Sequence, residues 1–303
     1  MIHPHSSHRA AIWQALLVTL LWSTSWVLIK FGLTSIPALS FAGLRYSLAF
    51  LCLLPFALRP TYRAAWRKLS VRDWLRFTLL GILFYAVTQG AQFLGLLYLP
   101  AVTTSLMLNI TSLLVAFLGI WLLNESLTVL QWLGMAAFLI GVIVYFYPVS
   151  FAANQWLGLL IVSGGMLANA FSSILGRSIN RGKNIPALVV TTASMGIGSL
   201  LLLMIGGIIQ GIPSLDLKNW LVIVWLAVVN TAFAFTLWNH TLQTLSAVES
   251  SIINSTMMVQ IALLAWAFLG ETLSLQTTSG LILAAAGVLL VQIRRISLLG
   301  VGQ

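Results

Sequence analysis

The chain has 303 residues, of which 60% are hydrophobic and only 7% charged, with a mean hydropathy of +1.02. A soluble domain carries about 25% charged residues, so this composition excludes a soluble protein and marks an integral membrane protein. The net charge of +10 sits in short segments between apolar runs, a pattern of membrane topology rather than of nucleic-acid binding.

A bilayer core takes about 20 apolar residues per helix. On that scale the sequence predicts ten spans, at 11–31, 37–58, 74–95, 101–122, 128–147, 156–177, 186–209, 219–240, 247–269 and 275–293. Residues 1–10 form a polar tail whose histidines, His3, His5 and His8, are assigned no role. Span 1 lacks a small-residue cleavage pattern and reads as a retained span, not a signal peptide. It carries Trp22 and Trp26 four residues apart, on one helix face and away from the span ends. Span 2 carries Arg45 and the single cysteine, Cys52. One cysteine allows neither an internal disulfide nor a thiolate metal site. No metal and no cofactor is expected.

Span 3 carries Gln89 and Gln92, and span 4 carries Asn109. Asn124 and Glu125 precede span 5, in which Gly134 and Gly141 are seven apart. Span 6 carries Asn169. Span 8 carries Asn230, Trp238, Asn239 and His240. Span 9 carries Glu249, Asn254, Ser255 and Gln260. Span 10, with Gly280 and Gly287, opens after Glu271. Pro37, Pro100, Pro148, Pro186 and Pro213 punctuate the connections. The runs are continuous rather than alternating, so helices, not a β-barrel, are expected.

Basic residues fix the expected orientation. Arg9, the run from Arg59 to Arg76, Arg177 to Lys183, and Arg294 with Arg295 all fall on one side of a ten-span chain. The positive-inside rule makes that side the cytoplasm, with both termini cytoplasmic.

Segment Ala101–Val142 recurs without a gap as Ala247–Val288, 146 positions on. The copies share a glutamate (Glu125, Glu271) and two glycines seven apart (Gly134 and Gly141, Gly280 and Gly287). The repeats are read as 11–147 and 156–293, the second followed by a cytoplasmic tail at 294–303. Five spans per half is an odd number, so the second copy enters the membrane upside down. Inverted repeats of this kind build two similar gates on opposite faces and move solutes by alternating access.

"LNESLTVLQWLGMAAFLIGV" and "LGETLSLQTTSGLILAAAGV" resemble the end of the EamA repeat of the drug/metabolite transporter superfamily. "LSFAGLRYSLAFLCLLPFAL" in span 2 and "LLYLPAVTTSLM" before span 4 resemble the same repeat. The resemblance implies an all-α membrane protein, with ten transmembrane helices in two inverted five-helix repeats around a central cavity. It further implies a carrier of metabolites such as amino acids and their analogues, or of drugs, often outward, with a cavity lined by helices 1, 3, 4, 6, 8 and 9.

A polar group at membrane depth is a site candidate by default. On the implied cavity helices the candidates for substrate binding are Trp22, Trp26, Gln89, Gln92, Asn109, Asn169, Asn230, Trp238, Glu249 and Asn254. Each amide has interhelical hydrogen bonding as its bland alternative. Glu249 breaks the repeat symmetry, since its partner is Thr103, and suits an amine or a proton. Glu125 and Glu271 are read as caps at helix starts. Arg45, on a helix outside that cavity set, is read as structural rather than as an anion contact. The paired glycines are read as sites of close helix packing.

The expected function is secondary transport of small organic solutes, in the cell or inner membrane, with no catalytic residues. No nucleotide-binding motif is present to suggest ATP drive. The alternative is a membrane-embedded enzyme or lipid-processing protein, which needs paired acid–base groups or a serine with a base at membrane depth. Beyond lipid and a small solute no partner is implied, and oligomeric state is not readable.

Overall fold

The computed structural model describes residues 8–123, 128–148, 151–181, 185–211, 213–241, 244–245 and 247–293. Within those helices the side chains at 116, 119–123, 177, 180–181, 239, 247–248, 251 and 292–293 are also outside the description. Glu125, Lys183, Arg294 and Arg295 therefore lie outside the described residues.

All regular structure among the described residues is helical. The helices are α1 (His8–Gly32), α2 (Ala38–Ala57), α3 (Pro60–Arg67), α4 (Val71–Leu80), α5 (Gln89–Tyr98), α6 (Ala101–Asn109), α7 (Thr111–Leu123), α8 (Val129–Phe146), α9 (Ala153–Arg181), α10 (Ala187–Ile209), α11 (Leu217–Ala227), α12 (Ala234–Thr241), α13 (Ala247–Leu269) and α14 (Leu275–Ile293). Wider π-helical turns, Gly81–Thr88 and Val228–Phe233, join α4 to α5 and α11 to α12. Among the described residues eight continuous stretches are long and apolar enough to cross a membrane, and Ala101–Val115 and Leu275–Val291 are apolar but shorter.

Local chemistry explains several helix starts. Ser70 and Asp73 form a reciprocal capping box at α4, and Thr128 and Gln131 form one at α8. Asp216 accepts from Asn219 N at 2.8 Å at the start of α11. Pro37, Pro100 and Pro186 stand just before α2, α6 and α10, where a missing N–H costs nothing.

Three features depart from uniform spans. The basic segment after span 2 contains a short helix, α3, with Pro60 in its first turn and no buried residue. Span 4 is broken at Ile110, where Asn109 Nδ2 donates to Ser105 O at 2.8 Å and Ile110 N to Met107 O at 3.1 Å. A side chain competing for the helical carbonyl ladder bends a helix in this way. The π-helical turns interrupt spans 3 and 8, and the second lies within the 146-residue equivalent of the first. In each a threonine hydroxyl donates five residues back: Thr88 to Leu83 O and Thr231 to Leu226 O, both at 2.8 Å.

The helices group into two compact units, each drawing on both halves of the sequence. The first comprises Met1–Val27, Pro100–Ala152 and Phe233–Gln303. Its tightest packing is α8 against α14. Gly134 meets Gly287 and Gly141 meets Gly280, so the two repeat-equivalent helices run antiparallel. A Cβ on Gly134 would stand 2.8 Å from Gly287 O, and one on Gly141 2.5 Å from Ala284 N and 2.6 Å from Gly280 O. Only glycine allows such backbone approach. A glutamine in the first turn of each helix ties down the far end of the other. Gln131 Nε2 donates to Val291 O at 3.2 Å, and Gln276 Nε2 to Val144 O at 2.9 Å and to Tyr147 O.

The second unit comprises Leu28–Leu99 and Ala153–Ala232. Here α2 packs on α10, again antiparallel, with Gly43 against Leu203 and Gly206 against Ser40. α5 packs on α9 through Ala91 and Gly165. Lys30 Nζ donates to Leu96 O at 2.6 Å and Leu99 O at 2.7 Å. It thus places a cation on the open carbonyls of the C-terminal end of α5.

Candidate functional site

The ten expected site residues divide between the units. Trp22, Trp26, Asn109, Trp238, Glu249 and Asn254 belong to the first, and Gln89, Gln92, Asn169 and Asn230 to the second.

In the first unit Trp22 is the hub of an aromatic cluster. Its ring lies 5.3 Å from those of Phe235 and Trp238, tilted to both, a favourable arrangement of aromatic quadrupoles. Trp238 also packs on Ala11, Ala15, Leu245 and Ile253. Trp26 is buried and Trp22 half-buried, whereas Trp13, the third tryptophan of α1, is exposed. The indole Nε1 of Trp22 is buried without a hydrogen-bond partner. A buried donor left unpaired costs about 1–3 kcal/mol, and it is ready to donate to an acceptor that enters the cluster.

Beside it, Ser23 Oγ donates to Gln260 Oε1 at 2.9 Å, and Gln260 Nε2 donates to Thr19 Oγ1 at 3.2 Å and Thr256 Oγ1 at 3.0 Å. Gln260 is thus committed to joining α1 to α13. Asn109 spends its amide nitrogen at the break between α6 and α7. Asn254 is exposed on α13. Glu249 Oε1 lies 2.9 Å from His8 Nε2, with both side chains well exposed.

Glu271 does cap a helix, but not the one that follows it. Its carboxylate accepts from the Ala101 and Val102 N–H groups at the start of α6. Pro100 leaves that helix start without a side-chain cap of its own, and a carboxylate satisfies the N–H groups and matches the dipole. A linker in the second repeat therefore holds a helix of the first. Alongside, Thr103 Oγ1 and Tyr145 Oη are 2.9 Å apart, joining α6 to α8.

In the second unit the buried polar groups gather around α2. Tyr46 Oη donates to Gln89 Oε1 at 2.6 Å, and the Tyr46 and Tyr85 rings are 5.8 Å apart. Arg45 Nε donates to Thr231 Oγ1 at 3.2 Å. Asn230 and Thr231 are fully buried, and Gln89, Tyr85 and Tyr46 nearly so. The neighbours Arg45 and Tyr46 thus reach the two π-helical regions, one each. Such widened turns recur at functional sites. Gln92 and Asn169 are half-buried.

Gln89 and Asn230 therefore stand beside residues that the sequence did not mark, Tyr46, Tyr85 and Thr231. Hydroxyls on apolar helices carry no distinguishing signal. The i−5 bonds of Thr88 and Thr231 leave no trace in a periodicity of 3.6. Arg45 is visible in the sequence but reads as structural because span 2 lies outside the implied cavity set; in the structure it is buried, with Nε on Thr231 Oγ1.

The description "EamA-like transporter family" fits residues 9–147 and again 156–293. The chain is 29% identical over 288 residues to a probable amino-acid metabolite efflux pump of Salmonella typhimurium, covering 90% of this chain and 92% of that protein. It is 24% identical to an uncharacterized transporter, YoaV, of Bacillus subtilis over 89% of this chain and 92% of that one. It is 25% identical to an uncharacterized inner membrane transporter, YedA, of Escherichia coli K12 over 84% and 81%. One crystal structure shares the fold with a TM-score of 0.66 at 19% identity, covering 93% of this chain and 97% of that one. With the helical packing described above, these matches make the protein a multi-pass membrane protein, and the chain belongs to the EamA-like transporter family of the drug/metabolite transporter superfamily.

Proposed function

We propose that the chain is a secondary transporter that exports small organic metabolites, amino acids or their analogues in the first place, or drugs, by alternating access across the inner membrane. Ten spans in two inverted five-helix repeats, 11–147 and 156–293, supply the mechanism, with both termini cytoplasmic. The observation that carries this reading is the antiparallel pairing of the repeat-equivalent helices α8 and α14 through matched glycines. Odd-span duplications require that relation between equivalent helices, and alternating access exploits it. The α2–α10 pair and the equivalent π-helical turns support it. Eight long apolar stretches and two shorter ones match the ten spans in number. The efflux name of the Salmonella relative supports direction and substrate class, and the inner-membrane name of the Escherichia relative supports location.

The aromatic cluster of Trp22, Phe235 and Trp238, with Trp26 beside it in α1, receives the apolar part of the solute, and the unpaired indole N–H orients it. In the same unit Glu249 suits an amine, with Asn109 and Asn254 completing that set. In the second unit Gln89 and Asn230, with Gln92 and Asn169, form a separate candidate set for polar groups of a solute. Cells overproducing the chain and preloaded with labelled amino acids should release at least one of them faster than cells carrying Trp22→Ala. Equal release from both, for every solute tried, would count against export.

A further inference from the structure

Arg45 lies two turns into α2 and is 4% exposed, so its charge is held inside the unit rather than at a helix end. Nε is taken by Thr231 Oγ1, whose own proton goes to Leu226 O. The guanidinium carbon stands 5.1 Å from the centre of the Tyr46 ring and 6.0 Å from that of Phe93. Nη1 and Nη2 make no hydrogen bond among the described residues. No described carboxylate pairs with it. Of the five acids in the chain, Asp73 serves Ser70, Asp216 the start of α11, Glu249 His8 and Glu271 the start of α6. The fifth, Glu125, is outside the described residues.

A desolvated cation with no counter-charge costs several kcal/mol, and ring faces return only about 0.5–2 kcal/mol each. Thr231 fixes one edge of the fork and the Tyr46 ring fixes its plane, leaving the two Nη groups as a preformed pair of parallel donors. That is the geometry a carboxylate accepts in bidentate fashion. Gln89, whose Oε1 is held by Tyr46, and Asn230 lie on the elements that flank it.

We propose that Arg45 is the carboxylate anchor of a solute site in the second unit, with Tyr46 and Thr231 as its positioning residues. The proposal rests on the transporter reading and narrows the cargo to solutes bearing a free carboxylate. Arg45 then does more than brace a π-helical turn, and the difference is measurable.

The test compares amino acids with their amides in proteoliposomes carrying the purified full chain. Wild type should move the acid form at least about 10-fold faster than the amide below saturation, since a site built for a charged hydrogen-bond partner rejects its absence. Arg45→Gln should raise KM for the acid by about 10–100-fold and leave amide flux unchanged. Arg45→Lys keeps the charge without the fork, and should show a smaller rise confined to the acid. Equal wild-type flux of acid and amide, or a loss in Arg45→Gln that falls on both by the same factor, would overturn the proposal alone. Absence of flux for any solute in wild type would overturn the transporter reading along with it. If Arg45→Gln fails to fold, Arg45→Lys decides by the same acid-to-amide ratio.

Discussion

Replacing Gly141 by alanine tests the helix crossing on which the inverted-repeat reading stands. The new Cβ would lie 2.5 Å from Ala284 N and 2.6 Å from Gly280 O. A relaxed contact needs about 3.5 Å, so α8 and α14 must part by about 1 Å. Both obstacles are backbone atoms, so no side chain can rotate away. Overpacking by one methyl costs about 1–3 kcal/mol, and a rigid obstacle belongs at the upper end. Alanine also gains up to about 1 kcal/mol of helix propensity, which hides part of the loss. Gly164→Ala is the control: it sits in α9 with nothing within 4 Å of the new Cβ, and it carries the propensity gain alone. The difference between the two variants isolates the crossing, and should be about 2–3 kcal/mol in SDS-titration unfolding in mixed micelles, followed by circular dichroism. Gly280→Ala added to Gly141→Ala should cost less than it does alone, because the helices have already parted at that contact. Equal stability of the Gly141→Ala and Gly164→Ala proteins would refute the close approach and the argument built on it.

Three further outcomes follow. Glu271→Gln removes the charge from both bonds to α6 and should lower unfolding free energy by about 1–2 kcal/mol in the same titration; no change would mean that the cross-repeat cap is idle. Trp22→Phe keeps the ring stacking but removes the unpaired N–H, so it should raise KM for the transported solute with kcat little changed, whereas Trp22→Ala should impair both. Unaltered flux in Trp22→Ala would remove the aromatic cluster from the site. In a Cys52→Ser background, Ala64→Cys in α3 should react with an impermeant thiol reagent from the cytoplasmic side and Ala152→Cys from the opposite side; both residues are exposed. The reverse labelling would invert the orientation drawn from the basic residues.

Much of the architecture was legible because hydropathy and repetition are strong signals. Among the described residues eight of the expected runs are helical stretches long enough to cross a membrane and two are shorter apolar helices, and the four glycines picked out by their sevenfold spacing do meet across α8 and α14. What was not legible depends on where a side chain finds its partner. Glu271 was recognised as a cap from its place before a helix. Its actual helix, α6, lies 170 residues earlier, beyond the reach of local pattern. Gln131 and Gln276, which tie α8 to α14, find their partners more than a hundred residues away, where no local pattern points. Span 4 read as one helix because Asn109 and Ser105 break the carbonyl ladder without Pro or Gly. At the site, tryptophans and amides drew notice as rare polar or amphipathic groups at depth. The hydroxyls of Tyr46 and Thr231 did not, although they position Gln89 and Arg45. Arg45 was set aside by analogy with helices that line a cavity in relatives, and only its burial and its idle Nη groups restore it.

The most direct measurement is solute flux through liposomes containing only the purified chain. At least one small organic solute should move down an imposed gradient, saturably, with trans-stimulation by the same solute on the far side, as a single alternating site requires. If no amino acid, amino-acid analogue or cationic drug moves under any imposed gradient, the chain is not the transporter described here.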